Sequence, residues 1–221
     1  MLRQARLDAP DALHHVRVRG LERRALVRED PDRAACVARL AALAEGGART
    51  VSAWALLPTH AHLLVRTGTR PLARSLRRLL TGDAGAVNRR HQRAGHPFQN
   101  RDTSVLVEEA PYLVELVRYL HLHPLRARVV PDLRQLEGGP WTGHSALRGT
   151  VPRPWHPTQA VLGHFGPRRR AGRPLVPVLG VQPAAIAKAA RRGATQAPVW
   201  RRLLAETQEE CPNATSPILG R

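Results

Sequence analysis

Residues 13–19, LHHVRVR, alternate along the chain with the period of two that marks a half-buried strand, and Gly20 ends the run. A helix follows, with Asp30 as N-cap and Pro31 in the first helical position. Val37, Leu40, Ala41 and Ala44 share its buried face, and Gly46-Gly47 stop it. Residues 49–56 and 60–66 read as two strands joined by a turn at Pro58-Thr59. The next helix starts near Pro71 and carries Leu72, Leu76, Leu79 and Leu80 on one face, while Gly82 and Gly85 leave its extension to Arg90 open. Thr103–Glu108 is rich in β-formers. Pro111 then opens a helix whose Leu113, Leu116, Val117 and Leu120 recur at the 3–4 spacing, and Pro124 closes it. The order β-α-β-β-α-β-α predicts an α+β fold: a ferredoxin-like split βαβ sandwich, an antiparallel sheet with helices on one face, plus an extra helix.

The 221 residues are 43% hydrophobic, enough to bury a sizeable core and too many for wholesale disorder. Lys+Arg is 35 against 17 Asp+Glu, and the net charge of +18 suits a polyanionic partner. Lys188 is the only lysine, so arginine carries nearly all of that charge. Residues 1–150 hold 24 basic and 14 acidic side chains, residues 151–221 hold 11 and 3, and Pro152, Pro154, Pro157, Pro167, Pro174 and Pro177 forbid long helices in the second part. The predicted organisation is a compact domain at 1–150, a Pro/Arg-rich linker at 151–178, a short basic segment at 179–206 and a tail at 207–221. Within the basic segment, LGVQPAAIAKAARRG is similar to the second half of a helix-turn-helix, and reads equally as a solvated basic helix. Cys36 and Cys211, far apart and without a CxxC, exclude a disulfide scaffold and a cysteine zinc site. No stretch approaches the roughly 20 apolar residues of a membrane span, and MLRQARLDAPD lacks an apolar signal core. A cytoplasmic protein with no membrane partner is expected.

Three groups of residues could carry chemistry. In PTHAHLLV, residues 58–65, a strand places His60 and His62 on one face with Cα atoms roughly 6–7 Å apart, close enough to share a metal ion. The plain reading is two half-buried sheet histidines, and a second H-x-H occurs at His121 and His123. On the helix after the fourth strand, Tyr112, Glu115, Tyr119 and His123 fall close to one stripe, away from the face of Leu113, Leu116 and Leu120. Only two tyrosines exist, so a tyrosine nucleophile is Tyr112 or Tyr119; otherwise Tyr119 is a core-edge aromatic and His123 a cation at the helix C-terminus. Third, Arg66, Arg70, Arg74, Arg77, Arg78, Arg89, Arg90, Arg93 and Arg101 stand against the single acid Asp83. They suit phosphate tracking, with Phe98 as a base-stacking platform, or form a solvated basic face.

PTHAHLLV, RRLLTG, NRRHQRAGHPFQNR and VEEAPYLVELVRYLHLHPLRARVV, in this order, resemble the REP-associated tyrosine transposases, within the single-tyrosine HUH-type transposases. ALHHVRVRGLERRALVREDPDR and WTGHSAL extend the likeness to about residues 7–148. The resemblance implies a ferredoxin-like nuclease that cuts single-stranded DNA beside a hairpin, using a divalent metal, Mg²⁺ or Mn²⁺. It implies that His60 and His62 are the paired metal-binding histidines and Tyr119 the nucleophile. His123 then takes the place of the third ligand, where the family usually has Asn or Gln. Asp102 replaces an aromatic common after the QNR-like sequence. The implied product is a 5′-phosphotyrosine with a free 3′-OH, a bond-conserving link that a 3′-OH can later reverse to join another strand. A monomer fits, as does a homodimer whose tyrosine helix acts in trans. The alternative is a non-catalytic basic nucleic-acid-binding protein derived from such a transposase. A replication initiator or relaxase of the same chemistry would need a larger chain with a helicase or loading partner.

Overall fold

A computed structural model describes residues 9–45, 49–98, 103–107 and 113–165. Strands β1 (Leu13–Arg19), β2 (Arg49–Leu56), β3 (His60–Thr67) and β4 (Thr103–Val107) form one antiparallel sheet in the order β2-β3-β1-β4. Helices α1 (Asp30–Glu45) and α2 (Leu72–Arg90) make the crossovers and α3 (Leu113–Arg126) follows β4. The short helices α4 (Leu133–Gly138), α5 (Gly143–Arg148) and α6 (Thr158–Gly163) come last among the described residues. This is the ferredoxin-like arrangement that the order of elements predicted.

Strand alternation divides the core into two layers. Val16 and Val18 of β1 and Leu63 and Val65 of β3 join Val37, Leu40, Leu72, Leu76 and Leu79 of α1 and α2. The intervening residues, Leu13 and Leu64, join Leu113, Leu116, Val117 and Leu120 of α3. Helices on one face therefore holds for α1 and α2 only: α3 covers the opposite face. The extra helix brings an apolar stripe of its own, and the bare face of the sheet is where it can be buried.

One boundary that the sequence left open is fixed by the structure, and two differ from expectation. Helix α2 runs through both glycines to Arg90. Gly82 serves the packing of α1 on α2, because a Cβ there would stand 2.9 Å from Nε of Arg39, whose Nη1 pairs with Asp83 at 2.8 Å. Pro124 does not close α3, which continues to Arg126. A proline in the last turn forfeits one backbone bond, and the turn is held by Ala127 N–H donating to the His123 carbonyl at 2.8 Å. His123 thereby stays helical, in line with Tyr119. Residues 151–165, predicted as the start of the linker, instead pack on the domain: Val161 and Leu162 are buried in the α3 layer, and Trp155 lies against Trp54. Gly46-Gly47, Glu108, Pro111, Tyr112, Arg101, Asp102, Cys211 and the predicted segments from residue 166 onward lie outside the described residues.

At the start of α1 it is Asp32, not Asp30, that receives the N-terminal hydrogen bonds. Its fully buried carboxylate accepts from the N–H groups of Arg28 and Glu29, from Arg90 at 2.6 Å and from His91 at 2.7 Å. Burial alone would raise its pKa, yet these donors hold it down to about 2. The contact ties the first turn of α1 to the end of α2.

Candidate active site

The β1–β3 register sets Arg17 opposite His62 and Arg19 opposite His60 on the face that α3 covers. Small residues of β2 on this face, Ala53 and Ala55, are fully buried and let α3 approach closely. From α3, Tyr119 and His123 project one turn apart toward the β3 histidines. The His62 and His123 ring centroids are 4.7 Å apart, those of His60 and His123 5.1 Å, and those of His60 and His62 5.2 Å. One ring nitrogen from each of the three lies within 4.8 Å of the other two. The Tyr119 ring is 6.1 Å from that of His62 and 5.3 Å from that of His123, and the Arg126 guanidinium lies 5.8 Å from its centroid.

Hydrogen bonds assign the nitrogens. Thr59 Oγ1 is 3.0 Å from Nδ1 of His60, leaving Nε2 directed inward, where it meets Nε2 of His123 at 2.9 Å. Nδ1 of His62 meets His15 Nε2 at 3.0 Å, and Nε2 of His62 is buried with no hydrogen-bond partner among the described residues. Burial, then the charges of His123, His15, His60 and Arg17, push the His62 pKa well below 6.5, so the ring is neutral and its lone pair is available. Three buried imidazoles with an unsatisfied nitrogen among them fit a divalent cation.

A second buried group lies on the other side of α3. His121 and His144 are fully buried and His156 nearly so, and Nδ1 of His156 meets the Val51 carbonyl at 3.1 Å. Neither ring nitrogen of His121 or His144 has a hydrogen-bond partner among the described residues. The His121 centroid is 6.2 Å from that of His144 and 6.4 Å from that of His156, wider than in the first group. Burial, reinforced by His144 and His156, pushes His121 well below the ordinary range. Burial with Arg148 brings His144 down to about 4, and burial, partly offset by the Val51 carbonyl, brings His156 to about 4. Glu29, Asp32 and His91 also cluster, but the Asp32 carboxylate is already saturated by four donors.

The structure thus brings together His60, His62, Tyr119 and His123. Helix α2 packs against the other face of the sheet, so Arg74, Arg77, Arg78 and Arg89, all exposed, stand across it from the histidines, with Arg70 just before the helix and Arg93 just after. Arg66 is on the histidine face but bonds Asp11, and Arg90 is engaged by Asp32. Phe98 is buried in the α1–α2 layer at 8% exposure, so it serves the core instead of offering a stacking platform. Arg17 and Arg19, half-buried beside the histidines, and His15 were missed. The alternation of LHHVRVR puts those three on one face, but nothing in the sequence states which strand lies beside it.

No protein-family model matches the chain, and no curated protein matches it. A solved structure of a REP-associated tyrosine transposase bound to a REP hairpin is similar in fold, with a TM-score of 0.56 at 15% identity, covering 69% of this chain and 89% of that one. Among the described residues no helix is long and apolar enough to cross a membrane.

Proposed function

We propose that the protein is a metal-dependent tyrosine transposase that cleaves and rejoins hairpin-associated single-stranded DNA. The observation that carries this reading is the convergence of three buried imidazoles, His60, His62 and His123, beside the ring of Tyr119. The fold shared with a transposase bound to a hairpin supports it. The three histidines would hold a divalent cation through nitrogens that include His62 Nε2. An all-imidazole set suits later first-row transition ions better than Mg²⁺, with Mn²⁺ the weakest held of that series. When bound, the cation supplies Lewis-acid stabilisation of the non-bridging phosphate oxygens.

The remaining work falls to the chain itself. Arg17 and Arg19 hold the strand's phosphates at the histidine face through charge-assisted hydrogen bonds. The phenol oxygen of Tyr119 attacks phosphorus as its proton leaves, and the 3′ oxygen departs and is protonated. The 5′-phosphotyrosine retains the phosphodiester's energy for rejoining. Arg70, Arg74, Arg77, Arg78, Arg89 and Arg93, carried by and around α2, engage phosphates of the hairpin away from the cut, and Arg101, later in the sequence, adds to them.

The alternative, a basic binding protein without cleavage, is favoured by one observation: Tyr119 is fully buried, so a strand reaches it only after its surroundings open. A denaturing gel decides between the two. Purified protein is mixed with labelled single-stranded hairpin DNA from around its own gene and with Mn²⁺. A metal-dependent covalent adduct that Tyr119→Phe abolishes is the expected result. Tight, salt-sensitive binding with no adduct in the parent protein would establish the alternative.

A further inference from the structure

His15 of β1 is 3% exposed and takes no part in the attack on phosphorus. Its Cα partner in the ladder is Leu64, so its ring reaches along the face toward His62. Nε2 of His15 stands 3.0 Å from Nδ1 of His62, and the ring planes differ by 9° with centroids 5.2 Å apart. That separation is what two nearly coplanar rings joined end to end would give, so this is an in-plane hydrogen bond and not a face-to-face stack. One nitrogen donates and the other accepts.

We infer that His15 is a positioning residue: its Nε2 accepts the Nδ1–H of His62 and so turns the His62 Nε2 lone pair toward His60 and His123. The inference rests on reading that cluster as a metal centre. A neutral imidazole that ligates through Nε2 carries its proton on Nδ1, and a buried N–H needs an acceptor. Thr59 Oγ1 stands in that place for His60. For His62, with no exposed surface, it is His15. With the bond reversed, the His62 proton would sit on Nε2 and point into the cluster, where it would exclude a cation. The acceptor is also a neutral imidazole where a carboxylate often serves.

Two measurements test this. In the metal-free protein, long-range ¹⁵N–¹H spectra of the histidines read the tautomers, and the Nδ1–H form is expected for His62. Calorimetric titration with Co²⁺ then compares the parent protein with His15→Leu and His15→Gln. Leu is expected to weaken Co²⁺ binding by about 10–100-fold, and Gln, whose amide oxygen can accept, to restore most of it. Far-UV circular dichroism and metal-free hairpin binding should be unchanged in both. An Nε2–H tautomer for His62, or parental affinity in the Leu variant, overturns the inference and leaves the metal centre standing. A parent protein that binds no Co²⁺ overturns the metal centre itself and the inference with it.

Discussion

Two groups of three buried histidines share helix α3, and they have opposite characters. His60, His62 and His123 bring ring nitrogens within 4.8 Å of one another, and the outer nitrogens of His60 and His62 rest on Thr59 and His15. His121, His144 and His156 are more widely spaced, with a backbone carbonyl on one ring only. The same H-x-H spacing enters both in different ways. On strand β3 it puts His60 and His62 on one face. On α3 a two-residue step turns about 200°, so His121 and His123 point to opposite sides and join different groups. What makes a site is convergence backed by a polar outer shell; burial and histidine count are common to both groups.

The largest expected difference lies in activity. His62→Ala should lower metal-dependent adduct formation by about 10³-fold or more, the scale on which an essential catalytic group acts. His144→Ala should leave it within about threefold when assayed well below the melting temperature. Equal losses in the two variants would erase the distinction between the groups.

The next effect is on stability against pH. His144 and His156 are protonated more easily in the unfolded chain, at about 6.5, than in the folded one, at about 4. Unfolding therefore takes up protons between those values. The contribution is complete above about pH 6.5 and is lost as pH falls toward 4, by up to roughly 3 kcal/mol per site. Denaturant melts at pH 7 and pH 5 should register this fall, and His144→Leu should shrink it. A pH-independent midpoint would mean that these rings are solvated or already charged.

A smaller effect is expected at Gly143, where a Cβ would meet His121 Nε2 at 2.7 Å and Trp54 at 3.1 Å. Gly143→Ala should cost about 1–3 kcal/mol by overpacking, measured by thermal unfolding. An unchanged midpoint would show that the second group has room to yield. The smallest effect concerns charge. Replacing Arg17 and Arg19 by Ala should reduce the slope of log K against log salt for single-stranded DNA by about 0.7 for each phosphate that is no longer neutralised. An unaltered slope would place the strand elsewhere.

Much of this was legible in the sequence, because it depends on local periodicity. The element order, the buried faces of α1 and α2, and the pairing of His60 with His62 follow from periods of 3.6 and 2. Tyr119 and His123 share a stripe for the same reason. What depends on which element lies beside which was not legible. His15, Arg17 and Arg19 become site neighbours only through the β1–β3 register, and the α2 arginines stand across the sheet because α2 covers the other face. Residues 151–165 read as linker from their prolines, but Trp155, Val161 and Leu162 find apolar partners that composition does not reveal.

The most direct test is anomalous diffraction at the manganese edge from crystals soaked in Mn²⁺. One peak is expected, about 2.0–2.3 Å from ring nitrogens of His60, His62 and His123, with none beside His121, His144 and His156. Density at the second group alone, or at neither, would contradict the assignment of the β3–α3 cluster as the metal centre.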